Sequence, residues 1–336
     1  MLDIGRELGV SPPIQSTARC DAPPGAVVRH AVGDRGVSRD AALRAAARSR
    51  RSAFRADGFG RTFEPVTAEI DLPAYFQRID HHGSTAPTYA TLAAIVRAHA
   101  AAIPFENLDP LVGRTPALDL AGLERKLVRD GRGGYCFEHN LLLSHVLRAL
   151  GFQVRGLAAR VIWNQPEGRI TPRSHMLLHV DLDGGPHIVD VGFGGLTLTG
   201  VLRLVGDVEQ STPHEPFRLV EEGGYFRMQA LVRGEWGSLY RFDLQEQFQP
   251  DYEVTNYFLS THPGSHFRTG LIAARALPDR RLALRGRDFA VHHLGGETER
   301  RALESTAELR RVLADEFGIA VPDDPALAQA LERLPR

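Results

Sequence analysis

The chain has 336 residues, 43% hydrophobic and 24% charged, the composition of an ordinary soluble globular protein with enough length for a sizeable core. A formal net charge of -1 asks for no nucleic acid and no anionic membrane as partner, two cysteines make no disulfide framework, and no apolar run reaches the ~18 residues of a membrane span. The first thirty residues lack a charged segment followed by an apolar one, so no secretory signal is expected and the default compartment is the cytoplasm.

Residues 1–67 carry 11 Arg against 7 acids, with "SPPIQST" and "DAPPGA", and are expected to form a poorly ordered extension. From "DLPAYFQRI" onward the chain reads as compact. "TYATLAAIVRAHAAAI" has apolar residues at helical spacing, and "PFENLDPL" follows as a turn with a buried phenylalanine. "LDLAGLERKLVRD" predicts a second helix, with Leu120, Leu123 and Leu127 three or four apart. It contains Lys126, the one lysine among 40 basic residues; that arginine bias fits a GC-rich coding sequence and carries no function by itself. After "RGGYCFEHN", the run "EHNLLLSHVLRALG" predicts a third helix with Leu143, Val146, Leu147 and Leu150 on one face and Gly151 as its stop.

Beyond Gly151 the period changes. "QVRGLAARVIW", "SHMLLHVDL", "PHIVDVGF", "VLRLV", "FRLVEEGGYFRMQALV" and "EWGSLYRFDL" are short apolar runs split by Gly, Pro and Asp, which predicts antiparallel strands. "TNYFLSTHPGSHF" reads as a helical connection, "RRLALRGRDFAVHHLGG" as strands and "ESTAELRRVLADEFG" as an amphipathic helix. Helices come first, then strands, then a mixed tail; this order gives an α+β class rather than a doubly wound parallel sheet. The expected divisions are a helical domain over 68–151, a sheet domain over 152–256, a helical connection over 257–270 and a mixed domain over 271–336.

Cys136 stands after a Gly-Gly pair and at the start of a helix, where a thiolate gains from the helix dipole and from free backbone N–H groups. A buried structural cysteine is the competing reading. "SHMLLHVDLDGGPHIVDVGFGG" predicts a strand over 175–182, a turn at 183–185 and a return strand to about 193, which brings His175 and Asp190 to the same end of a hairpin. A cysteine nucleophile needs an imidazole to hold it as thiolate, and that imidazole needs a carboxylate to fix its tautomer. His179 and His187 lie on the same two strands, and the pattern alone leaves either open as the base. Cys136, His139, His175 and His179 could be drawn as a zinc set, but they lack the paired spacing of tetrahedral sites, and no metal is expected.

"IPFENLDPLVGR", "RGGYCFEHN", "SHMLLHV" and "VDVGFGG", in this order and spacing, resemble the arylamine N-acetyltransferases from about Asp71 to near the C-terminus, with "TPHEPFRL" and "STHPGSHF" fitting the same pattern. The resemblance implies a helical first domain, an antiparallel β-barrel-like second domain and an α/β third domain, with a cysteine-protease-like Cys-His-Asp core. It implies a triad of Cys136, His175 and Asp190, acetyl-CoA as co-substrate and an arylamine, arylhydrazine or arylhydroxylamine as acceptor. Phe105, Val161 and Phe193 would line the acceptor pocket, and Gly192, Gly194 and Gly195 would let the pantetheine arm of the coenzyme approach the cysteine. Some relatives with the same triad are amide synthases that release a polyketide chain by amide formation with its own aromatic amine, which is the alternative reading. The departure from the family is the segment before Asp71, since the family usually begins near "DLPAYF".

Overall fold

A computed structural model describes residues 69–335, so the expected extension over 1–67 lies outside the described residues. The first helix, α1 (Leu72–Arg78), starts at Asp71, whose carboxylate accepts the Ala74 N–H at 3.1 Å. Next comes α2 (Tyr89–Ala102), capped by the Thr88 hydroxyl, and its residues Leu92, Ile95, Val96 and His99 turn one buried face inward. "PFENLDPL" is more than a turn. Phe105–Glu106 form a two-residue strand, β1, before a short helix, α3 (Leu108–Leu111). The dipeptide is extended because backbone flanks it on both sides: Phe105 and Glu106 pair with Ala274 and Ala273, and Phe105 also bridges to Gly134.

The predicted helix over "LDLAGLERKLVRD" begins as α4 (Leu120–Leu123) and widens into a π-helical turn over Glu124–Arg129. Hydrogen bonds from Asp130 to Arg125 and from Arg132 to Lys126 close it, while Lys126 reaches Asp109 and Glu138 at 2.7 Å each. The third helix, α5 (Cys136–Ala149), is buried on nearly every side, and Gly151 ends it at a positive φ of 89° as expected for its stop.

The sheet region holds β2 (Gln153–Val161), β3 (Arg173–Leu182), β4 (Gly185–Val189), β5 (Leu202–Arg203), β6 (Glu209–Gln210), β7 (Phe217–Glu222), β8 (Tyr225–Val232) and β9 (Glu235–Phe242). They form one antiparallel eight-stranded sheet ordered β5-β4-β3-β2-β9-β8-β7-β6. Its two end strands are joined by a side chain. The Gln210 amide accepts the Arg203 N–H at 2.8 Å and donates to the Arg203 carbonyl at 3.0 Å, which gives the sheet its barrel-like closure. Strand alternation sorts the two faces: Met176, Leu178 and Val180 join the core shared with the helices, while Leu177, Ile188, Leu157 and Ala159 join the core enclosed by the sheet.

Three sequence expectations need correction. The return strand ends at Val189 rather than near 193, because side chains take over the backbone donors beyond it: Asn140 accepts the Val191 N–H and Asp190 the Gly192 N–H. The helical connection starts early, as α6 (Gln249–Thr261), so the boundary at 256/257 falls inside a helix; Asn256 there donates to the Pro116 carbonyl and ties α6 to the helical part. A single turn, α7 (His266–Thr269), follows. The last part is not alternating α/β: β10 (Ile272–Leu277), β11 (Arg280–Arg285), β12 (Asp288–His293) and β13 (Thr298–Ala302) are antiparallel throughout, and α8 (Thr306–Asp315) and α9 (Pro325–Glu332) come after them. β1 completes this sheet from the helical part, so the two share a backbone ladder. Among the described residues no helix is long and apolar enough to cross a membrane.

Candidate active site

Cys136 is the first residue of α5 and is buried. The preceding loop presses against the chain around it. A Cβ on Gly133 would stand 2.0 Å from the Pro104 carbonyl oxygen, and one on Gly134 would stand 2.7 Å from Glu138 Oε2, so the Gly-Gly pair is needed for close approach. Glu138 reaches back to accept the Tyr135 N–H at 3.0 Å, which satisfies one orphan donor at the helix start.

The hairpin of β3 and β4 brings His175 and Asp190 to the sulfur. His175 Nε2 donates to Asp190 Oδ2 at 2.7 Å, leaving Nδ1 as the ring nitrogen for Cys136. Cys136 Sγ also lies 3.8 Å from the Ser174 carbonyl. Asp190 is fully buried and accepts three further hydrogen bonds: Asn140 Nδ2 at 3.1 Å, the Gly192 N–H at 2.9 Å and the Tyr240 hydroxyl at 2.9 Å. Burial pushes the carboxyl upward, but His175 and these donors outweigh it and hold Asp190 below the usual carboxylate range. For His175, burial favours the neutral ring; the charge and hydrogen bond of Asp190, and after them Cys136, reverse this and raise its pKa to about 10. The Tyr240 hydroxyl is pushed well above its ordinary value by burial and then by Asp190, so it stays a donor.

Asn140 connects the parts. Its amide sits one helical turn after Cys136 and donates to the Cys136 and Met176 carbonyls as well as to Asp190, while its oxygen accepts the Val191 N–H. One side chain therefore links α5, β3 and the loop carrying Asp190. The quoted motif contained this signal, a lone amide inside an apolar helical run; Tyr240 lies on β9 and left none.

The other two histidines of the hairpin are engaged elsewhere. His179 lies against the Arg155 guanidinium, 3.2 Å from each ring nitrogen, and His187 Nδ1 is 2.8 Å from the Gly185 carbonyl. The residues expected around the acceptor fall into two groups of contacts. Phe193 is buried edge-on to His175, with centroids 5.2 Å apart, and packs on Tyr240; Val161 pairs with Tyr240 across β2 and β9. Phe105 packs on Phe267 and on Gly194, whose Cβ position stands 3.6 Å from its ring. Gly194 has a positive φ of 88°, and the Gly195 carbonyl accepts from Arg281 at 3.4 Å. Gly192 has a structural reason of its own: a Cβ there would stand 2.7 Å from Cys136 Cα and 2.8 Å from Asn140 Nδ2. A buried sulfur at a helix N-terminus, beside an imidazole held by a carboxylate, is equipped for acyl transfer through a thioester.

A family profile described as N-acetyltransferase matches residues 88–326. The arylamine N-acetyltransferase of Mycobacterium tuberculosis (strain ATCC 25618 / H37Rv) is 48% identical over 259 residues, which cover 76% of this chain and 91% of that protein. A Salmonella typhimurium protein named arylamine N-acetyltransferase / N-hydroxyarylamine O-acetyltransferase is 42% identical over 253 residues, covering 75% of this chain and 90% of that one. Among solved structures, the Mycobacterium marinum arylamine N-acetyltransferase in complex with CoA superposes with a TM-score of 0.76 at 44% identity, covering 79% of this chain and 99% of that one.

Proposed function

This chain belongs to the arylamine N-acetyltransferase family, and from that premise we propose that it moves an acetyl group from acetyl-CoA to the nitrogen of an arylamine, arylhydrazine or arylhydroxylamine through an acetyl-Cys136 thioester. The observation that carries the reading is the buried group at the start of α5: Cys136 beside His175, with His175 held at 2.7 Å by a carboxylate that has three further donors. The relatives' names support arylamine and N-hydroxyarylamine acceptors, and the CoA complex of one relative supports a CoA thioester as donor.

In this mechanism Cys136 and His175 are a thiolate–imidazolium pair. The sulfur attacks the acetyl carbonyl, and N–H groups in the first turn of α5 stabilise the oxyanion, a contribution of roughly 3 kcal/mol per donor in other acyl-transfer sites. The C–S bond to the coenzyme breaks and CoA leaves with the proton from His175. The acceptor nitrogen then attacks the acetyl-Cys136 carbonyl, His175 takes the nitrogen's proton, and the thiolate departs. Aromatic amines suit these walls because they are weak bases whose conjugate acids lose their proton well below pH 7; Phe105, Val161 and Phe193 bind a neutral ring without desolvating a charge.

The test is purified protein with acetyl-CoA, followed by free CoA. Without acceptor, one equivalent of CoA should be released and an acetyl group should appear on Cys136; a panel of arylamines and hydrazines should then turn the release over. CoA release that needs the acceptor present from the start, with no acetyl on Cys136, would rule the thioester route out.

A further inference from the structure

His139 belongs to the same "RGGYCFEHN" run as Cys136, yet its hydrogen bonds go away from the sulfur. It is buried and sits within a polar chain through the helical core: the Tyr75 hydroxyl is 2.8 Å from His99 Nδ1, His99 Nε2 is 2.9 Å from His139 Nδ1, and His139 Nε2 is 3.2 Å from the Pro104 carbonyl. The directions follow from the far end. A carbonyl only accepts, so His139 Nε2 carries a hydrogen. Burial, opposed by hydrogen bonds from the ring to the Pro104 and Gly134 backbone, lowers the His139 pKa to about 4, and burial and then His139 lower that of His99, so both rings are neutral. His139 Nδ1 must then accept from His99, and His99 Nδ1 must accept from Tyr75. One arrangement of protons satisfies every group.

The chain ends on the segment that carries Phe105. The Pro104 carbonyl also accepts the Gly134 N–H at 3.3 Å, and Glu106 donates to the Gly134 carbonyl at 2.8 Å, so this segment and the loop before Cys136 are tied together. The Phe105 ring lies parallel to the His139 imidazole, at 4° and 6.5 Å between centroids, and a Cβ on Gly194 would stand 3.6 Å from it. His139 thus bears on Phe105 twice, through the backbone at Pro104 and through the ring.

We propose that His139 is a positioning residue for the acceptor: through its Nε2 bond to the Pro104 carbonyl, it fixes the Pro104–Phe105 wall against the nucleophile's loop and thereby sets how the aromatic acceptor is held, while the Tyr75 and His99 links serve the core. The proposal rests on the acetyl-transfer reading, in which Phe105 faces the acceptor.

The experiment separates the two ring nitrogens. In His139→Gln the side-chain amide stands in for Nε2 and keeps the bond to Pro104; in His139→Asn it stands in for Nδ1 and keeps only the bond to His99. With the full chain, His139→Asn should raise the KM for an arylamine about five- to tenfold, the factor carried by one lost hydrogen bond, while acceptor-free CoA release stays within about twofold of wild type. His139→Gln should keep the wild-type acceptor KM. Tyr75→Phe, at the remote end, should lower the melting temperature and leave the acceptor KM unchanged. Equal acceptor KM in the Asn and Gln variants, or a rise in Tyr75→Phe as large as in His139→Asn, would reduce the effect to loosening of the core and overturn the proposal. Absence of acceptor-free CoA release in the wild-type protein would instead overturn the acetyl-transfer reading and this proposal with it.

Discussion

Replacing Asp190 by Asn keeps the shape and removes the charge, and the geometry says how the amide must sit. Oδ1 takes donors from Asn140 and Gly192, while Oδ2 takes donors from His175 and Tyr240. An amide nitrogen at the first position would face two N–H groups fixed by the fold. At the second position it faces His175, which can change tautomer, and Tyr240, whose hydroxyl can rotate, so the nitrogen settles there. His175 must then carry its hydrogen on Nδ1, toward Cys136, and can no longer take a proton at that atom. The expected loss in kcat/KM is about ten-thousand-fold, as for an Asp-to-Asn change in a Ser-His-Asp triad.

Stability adds an independent check on Asp190→Asn. Breaking a buried charge pair from one side costs about 3 kcal/mol. His175 has its pKa raised to about 10 from 6.5 and Asp190 is held below the usual carboxylate range, so the pair's contribution is fully present from about pH 5 to 6.5, is lost as pH rises through about 10, and is lost again in acid as Asp190 protonates. Urea unfolding of wild type and variant should show a gap that is widest near pH 6 and narrows toward pH 10. A variant within about tenfold of the wild-type rate, or a stability gap that widens from about pH 6 to about pH 10, would refute the assigned role of Asp190.

Cys136→Ala should abolish both acceptor-free CoA release and acetylation of arylamines, with circular dichroism unchanged; residual turnover near the wild-type rate would move the nucleophile elsewhere. Among the three hairpin histidines, only His175→Gln should suppress iodoacetamide labelling of Cys136 at pH 6 to 7, since His179 and His187 have their partners at Arg155 and Gly185; suppression in His179→Gln alone would show the wrong base had been chosen. Gly192→Ala places a Cβ 2.7 Å from Cys136 Cα and should cost about 1–3 kcal/mol together with most of the activity, whereas Gly184→Ala, whose Cβ meets nothing within 4 Å, should be near neutral in both.

Local sequence carried the elements whose forces are local. Apolar spacing and the Gly151 stop marked α5, and alternation with an Asp-Gly-Gly turn marked the β3–β4 hairpin, which places His175 near Asp190. What sequence did not show depends on partners distant along the chain. β1 is a strand because Ala273 and Ala274 lie on one side of it and Gly134 on the other, and the chain leaves its strand at Asp190 where Asn140, 50 residues earlier, offers side-chain groups to the loop. Tyr240 reaches the same carboxylate from 50 residues later, and a tyrosine in an apolar strand reads as core until its hydroxyl is placed.

Lys126 shows the same limit from composition. A chain that uses arginine almost everywhere keeps one lysine, and its side chain, 14% exposed, lies between Asp109 and Glu138 at 2.7 Å from each. Burial works against the ammonium, yet Glu138, Glu106 and Asp109 raise its pKa. Arg132 takes the neighbouring places, at 2.6 Å from Glu106 and 3.3 Å from Asp109. Both cations thus bridge two carboxylates and share Asp109, the lysine as a compact point charge and the arginine through its planar fork. Glu138 also holds the Tyr135 N–H directly before Cys136; its carboxyl is pushed up to about 7 by burial, against the pull of Lys126. The lysine therefore acts through Glu138, opposing the burial that raises the pKa of the carboxyl at the start of the helix that begins with Cys136, and a count of basic residues cannot carry that information.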